Sequence, residues 1–404
     1  MVLFSDPNAV RDIFRLDPAI APAGQSWEFL RPFAGPYSIL LLDGEPHLRE
    51  RRLMAAPFHG ERMRALVPMV TELADQEMDR WSGRVLALER MRQLTLEIIL
   101  RVVFGARGEE ARCLRDAIDR TLAGVRSMPN MLSMAIVARD LGPRSPWGRF
   151  RVAVERFDAV LFELLAARRS AHAANGRPHA DSVLGMLLEQ RAPDGNPPSD
   201  RQLRDQLVAL LVGGHDSSAA TLAWAFERIA RHPQVQARIR EGEPAYLDAV
   251  IKEVMRARPP LTIAPRLLLE TVQIAGTTVP AGVQVAACLW LAMRREDLWR
   301  DAWAFRPERW LDRPAPDPYS WIPFGGGVRR CAGAPFAEME IREVLRAAAR
   351  LDIRPIRNQD ERARRSMLVV VPNRGAEVFV QRHATERSVS SATRPDAYQS
   401  SPSA

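Results

Sequence analysis

The residues best suited to chemistry lie in one stretch, Phe324-Gly325-Gly326-Gly327-Val328-Arg329-Arg330-Cys331-Ala332-Gly333. It is a glycine-rich loop that delivers one cysteine to the start of a helical pattern through Glu338, Met339, Ile341, Val344 and Leu345. A helix start supplies free N–H groups and a positive dipole end, so this geometry favours a thiolate at Cys331. The glycines let the backbone approach a bulky flat ligand and fold over the sulfur. Arg329 can offer charge-assisted hydrogen bonds to a carboxylate. Two plainer readings fit the same residues. The cysteine can be an inert buried thiol, or the loop can hold a phosphate at the helix N-terminus.

Three further sets stand out. Gly213-Gly214-His215-Asp216-Ser217-Ser218 places two glycines and an acid in the middle of an apolar helix, which is costly for the helix and invites a reason beyond a simple break. His47 and Arg51 are four residues apart and share a helix face. Glu253 and Arg256 are three apart, which alone is a surface pair worth ~0.2–0.5 kcal/mol.

Together these segments resemble the cytochrome P450 family. The loop matches its haem signature at Phe324, Gly327, Arg329, Cys331 and Gly333, and the resemblance runs from Ser5 to Val380. It implies a mainly α fold with small β-sheets, in one domain over 1–381, with haem b between the long central helix and the cysteine-loop helix. Cys331 would be the axial iron ligand, the ligation that pushes electron density onto iron. Phe324, Gly325 and Gly333 would shape the loop, and His47, Arg51, Arg266 and Arg329 would meet the haem propionates. Glu253 and Arg256, with Arg309 from Phe305-Arg306-Pro307-Glu308-Arg309-Trp310, would form a buried structural triad. Asp216 and Ser217 would be a proton-relay pair beside a local kink, with serine in place of the family's threonine.

The resemblance also implies an O2-dependent monooxygenase that draws electrons from a ferredoxin-type partner and acts on a lipophilic molecule such as a fatty acid or terpenoid. A peroxide-driven haem-thiolate enzyme and a non-catalytic haem sensor or carrier are the alternatives; the Asp216-Ser217 pair speaks against the first. The family's usual leader, with a helix and a strand, is absent before Val2-Leu3-Phe4, so that strand edge needs another partner.

These groups need elements to position them. Val10, Ile13 and Phe14 mark a first helix. Gln25 to Leu42, with Trp27, Phe29, Phe33 and Tyr37, is an aromatic loop that by family position lies over the haem. From Gly60 to about Arg191 the spacing of apolar residues predicts helices, with Pro129, Pro143 and Pro146 as breaks; Met128, Met131, Leu132 and Met134 suit a lipophilic entrance or plain core. Asp194 to Pro198 is a linker, after which Ser199 and Gln202 form a capping box for a long helix through Leu203, Leu207, Leu211, Leu222, Trp224 and Ile229. Leu247 to Arg258 is another helix. Strands follow at Val272–Ile274, Val279, Val283–Val285 and Met367–Val371, and a tail over 382–404 is predicted to be disordered.

At 404 residues and 47% hydrophobic content the chain is long enough for a large core and ordinary for a soluble protein. No apolar run reaches the length of a membrane span. Cys113, Cys288 and Cys331 are too few and scattered for a disulfide framework, which agrees with a reducing compartment; with neither a basic leader nor a signal-peptide core at Met1–Asp6 a cytoplasmic protein is expected, and a monomer. The net charge of +8 comes from arginine, because Lys252 is the sole lysine. These arginines are interspersed with Glu and Asp, which reads as solvated helix faces and argues against nucleic-acid binding.

Overall fold

The computed structural model describes residues 1–126, 142, 144–175, 182–191, 195–311 and 317–383. The methionines at 128–134 and the tail from 384 lie outside them. Among the described residues nine longer helices carry the fold: α1 (Pro7–Arg15), α2 (Gly44–Ala55), α3 (Gly60–Asp79), α4 (Ala87–Val102), α5 (Gly108–Arg126), α6 (Pro146–Asn175), α7 (Asp200–Arg231), α8 (Pro244–Ala257) and α9 (Ala334–Ala348).

Helix α7 is the axis, and its start follows from local chemistry. Ser199 accepts from the Gln202 N–H while the Gln202 side chain accepts from the Ser199 N–H, so two orphan donors are satisfied reciprocally. Its apolar residues Leu207, Leu222, Trp224 and Phe226 are fully buried. Around it α4, α6, α8 and α9 pack into one core. Helix α4 lies closest, because Gly214 removes the side chain that would meet Ile99; a Cβ there would stand 2.7 Å from Ile99 Cδ1.

The β structure is small and peripheral. One sheet has the order β1-β6-β3, with β1 (Val2–Phe4) parallel to β6 (Gln284–Ala287) and β3 (Ala264–Leu267) antiparallel to it. A second has the order β2-β10-β7, from Gly83–Leu86, Glu377–Arg382 and Leu351–Pro355. Strands β4 (Val272–Ile274) and β5 (Thr277–Val279) form one hairpin, β8 (Ala363–Ser366) and β9 (Val369–Pro372) another.

Three local expectations change. The stretch from Gly60 is interrupted by β2, where Gly83 at φ 67 starts a strand that pairs with β10. The aromatic segment is partly regular, with a 3-10 turn at Gly24–Leu30 and a short helix at Arg31–Ala34. Arg382 is still in a strand, paired with Leu351.

Candidate active site

The Cys331 loop is closed by its own backbone. Cys331 N–H donates to Phe324 O at 2.9 Å, and Arg330 N–H to Gly327 O at 3.1 Å. Gly325 and Gly327 have φ of 67° and 61°, in the left-handed region that a side chain resists. The loop also presses on α1: a Cβ at Gly326 would collide with the Phe14 ring, and one at Gly327 with the Phe14 carbonyl. Phe324 stands edge-on to Trp321, with ring centroids 6.5 Å apart. Gly333 precedes the first turn of α9 and accepts from Ala337 N–H at 2.9 Å. Burial pushes the Cys331 thiol up, opposed by a Gly333 backbone hydrogen bond and the charges of Arg51 and Arg330. The residue is nevertheless exposed. A thiol crowded by protein yet open to small probes fits a residue that faces an internal space.

Cations gather around one carboxylate beside this loop. His47 is buried on α2, and its pKa falls to about 4, first through burial and then through Arg329 and Arg51, with Asp43 opposing. Arg266, buried in β3, makes its only hydrogen bond among the described residues to Pro265 O at 2.8 Å. Burial and then Arg329 lower its pKa to about 10, again with Asp43 opposing. Arg51 is half-buried, and no hydrogen bond or ion pair involves it among the described residues. Arg329 is already engaged: NH1 donates to Ile39 O at 3.2 Å, and NH2 to Leu42 O and the Asp43 carboxylate. That leaves the Nε hydrogen and one NH1 hydrogen for any anionic ligand. Buried cations with so little compensation are costly, and a ligand with two carboxylates would relieve them.

The central helix turns an open face at its glycines. Leu210, Gly213 and Ser217, spaced three and four apart, are incompletely buried along a helix otherwise packed on most sides. A Cβ at Gly213 would meet nothing within 4 Å. Helix α7 is assigned as unbroken here, with Ser217 Oγ donating back to Gly213 O at 2.7 Å. Such a bond to the preceding turn slightly bends helices. Asp216 has a different neighbour: Arg92 Nε donates to its Oδ1 at 2.8 Å, and Arg92 NH2 to Ser366 Oγ at 3.2 Å. Arg92 also lines a surface groove of about 860 Å³ with Glu77, Glu97 and Arg115. The adjacent acid and hydroxyl are therefore held by separate partners, Asp216 buried against Arg92 and Ser217 at the more open face.

Glu253 and Arg256 form a fully buried bidentate pair on α8, with both N–O distances 2.8 Å. Arg309 Nε reaches Glu253 at 3.1 Å. Spacing could not show the rest of the cluster. Trp310 Nε1 and Arg306 N–H also donate to Glu253, and Arg256 caps the carbonyls of Met293, Ala302 and Ala304.

Glu340 was not singled out from the sequence. It is fully buried in α9, neither carboxylate oxygen completes a hydrogen bond, and burial raises its pKa to about 8. Ser218 of α7 comes close enough to oppose that rise but not to complete the bond. The signal was available: Phe336, Glu340 and Val344 are spaced four apart on one apolar stripe. Exposed Lys252 on α8 lies near Glu338, where Arg342 and Arg330 also act.

A family model described as Cytochrome P450 matches residues 1–350. The Mycobacterium tuberculosis protein named cytochrome P450 135B1 is 35% identical, covering 97% of this chain and 84% of its own length. The Mycobacterium bovis protein named cytochrome P450 138 is 34% identical, covering 95% of this chain and 86% of its own. Among solved structures, the retinoic acid bound cyanobacterial CYP120A1 has a TM-score of 0.82 at 22% identity, covering 94% of this chain and 89% of that one. The cytochrome P450DA heme domain has a TM-score of 0.77 at 20% identity, covering 94% and 87%. At these identities the structures show a shared fold.

Proposed function

The chain belongs to the cytochrome P450 family and is a haem-thiolate monooxygenase that binds haem b, and from that premise we propose that it inserts one oxygen atom of O2 into a lipophilic small molecule. Fatty acids, terpenoids and similar natural products are the substrate class. Electrons come from a separate ferredoxin and its reductase, and the protein works as a cytoplasmic monomer.

The observation that carries this reading is the exposed Cys331 thiol, set deep in the fold beside under-compensated cations. The haem, when bound, supplies the redox iron at which dioxygen is activated. Cys331 Sγ would hold its iron, and the Gly333 N–H with Arg51 and Arg330 would support charge on the sulfur. Arg51, Arg266 and the neutral His47 would hold the haem carboxylates, with Arg329 as the strut between this site and the preceding loop. Ser217 would offer a hydroxyl at the open face of α7, and the adjacent Asp216, held by Arg92, the carboxylate behind it. Leu210 contributes apolar surface to that face, in keeping with a lipophilic substrate.

The test is spectroscopic, then chemical. Ferrous protein with carbon monoxide is expected to show the strongly red-shifted Soret band of thiolate-ligated haem, and Cys331→Ala to lose it. Retention of that band in the variant removes Cys331 as ligand. Product analysis with NADPH, surrogate ferredoxin and lipophilic compounds chosen by Soret shift then tests substrate class. Turnover supported by peroxide alone would favour the peroxide-driven alternative.

A further inference from the structure

Three consecutive residues of α7, Arg204, Asp205 and Gln206, are polar and buried. Each grips the aromatic segment that precedes α2. Arg204 donates to Phe33 O at 2.7 Å and to Asp158 of α6 at 2.8 Å. Asp205 accepts from Tyr37 N–H at 2.9 Å, and a Cβ on Gly35, at φ 78°, would overlap its carboxylate. Gln206 uses both ends of its amide: Oε1 accepts from Ile39 N–H at 3.3 Å, and Nε2 donates to Tyr37 O at 2.7 Å and Glu50 at 3.2 Å.

The position of Gln206 gives these bonds their meaning. Gly213 and Ser217 follow it by seven and eleven residues, close to whole numbers of turns, so all three share one helix face. The rise per residue puts Gln206 about 10 Å before Gly213 along that face. Leu210 lies between them. The open stripe of α7 is thus closed at its N-terminal end by residues 37–39, and Gln206 holds the closure. The same segment is fixed from the other side, because Ile39 O accepts from Arg329 of the cysteine loop.

We propose that Gln206 is a positioning residue that fixes one wall of the substrate space, pinning Tyr37–Ile39 as a rigid bridge between the central helix and the cysteine loop. This deepens the monooxygenase reading and rests on it for the claim that the enclosed space receives substrate. The side-chain amide suits the task, since one group must accept from one peptide and donate to the next. A bridge held at both ends restricts which ligands fit and how fast they leave.

The experiment compares holoenzyme carrying Gln206→Leu with the parent by amide hydrogen exchange and by stopped-flow binding of 4-phenylimidazole and imidazole. Losing these bonds is expected to speed exchange at Tyr37 and Ile39 by about 5- to 10-fold. Dissociation of 4-phenylimidazole is expected to accelerate in parallel, that of imidazole to stay unchanged, and the carbon monoxide band to stay in place. Gln206→Glu keeps the acceptor for Ile39 but sets a carboxylate against Tyr37 O and Glu50, so it is expected to loosen the segment at least as much, and it serves if the leucine variant does not accumulate. Unchanged exchange in both variants overturns the latch. Faster exchange with unchanged 4-phenylimidazole release overturns its role as a wall of the ligand space. A parent protein without the red-shifted band would defeat the haem-thiolate reading instead, and exchange would still judge the latch.

Discussion

Arg92 of α4 holds Asp216 of α7, Nε to Oδ1 at 2.8 Å, while the hydroxyl of the next residue, Ser217, donates to Gly213 O on its own helix. A relay through this pair requires each group to exchange its partner. Asp216→Asn is expected to slow turnover several-fold and leave ligand-induced Soret shifts intact. Ser217→Ala is expected to raise hydrogen peroxide released per NADPH consumed. Ser217→Thr is expected to hold or improve coupling, because the added methyl restricts the rotamer. Product and peroxide yields per NADPH decide; Asp216→Asn and Ser217→Ala both matching the parent would place proton delivery elsewhere.

Breaking the α8 cluster is expected to be severe. Arg256→Ala leaves the fully buried Glu253 carboxylate with Arg309 as its remaining guanidinium among the described residues, and Glu253→Ala leaves the buried Arg256 charge with carbonyl partners but no carboxylate. The cost of removing one member of such a pair is ~3–5 kcal/mol, so both variants are expected to yield little soluble haem protein. Normal haem content in both would mean that the core tolerates the unpaired charge.

The basic residues near Cys331 divide one task. Arg51→Gln and Arg266→Gln are each expected to weaken haem retention modestly, and the double variant more than either. Haem transfer to excess apomyoglobin gives the rate. Unaltered transfer from the double variant would show that neither side chain meets the propionates.

Glu340 makes stability depend on pH. Its pKa is about 8 in the fold, against an ordinary value of 4.5, so below about pH 4.5 the carboxyl is neutral in both states and carries no ionisation penalty. Between these values the unfolded chain releases the proton more readily, and stability falls as pH rises until the folded pKa is passed. Among the described residues, α3, α7 and α8 pack on α9, and Ser218 of α7 is the polar group that opposes the effect of burial. Glu340→Gln is expected to remove that decline, a gain on the order of 3–5 kcal/mol at most above pH 8. Parallel denaturation curves for parent and variant from pH 5 to 9 would refute it.

What could be read from the sequence was whatever local spacing encodes. Ser199 and Gln202 cap a helix three residues at a time, Glu253 and Arg256 meet across one turn, and the glycines before Cys331 announce a left-handed loop. Contacts between distant segments were hidden: nothing local pairs Gln206 with Ile39, or Arg92 with Asp216. The strand at Gly83–Leu86 was missed for a related reason, since four residues carry too little periodicity and their partner lies almost 300 residues on. Glu340 was legible in its spacing, but an acid on an apolar stripe reads as a surface interruption until the neighbours that cover it are seen.

Lys252, exposed on α8 beside the Glu338–Arg342 surface that continues from the cysteine loop, has one more consequence. Apart from the N-terminus it is the only primary amine in the chain, so it is a unique chemical address. Carbodiimide coupling to a carboxylate-rich electron donor whose own amines are blocked can join the two proteins by a lysine amide at that point alone. Mass spectrometry of the adduct would then report directly whether the donor docks beside this surface, and a peptide linked through Met1 would report that it docks elsewhere.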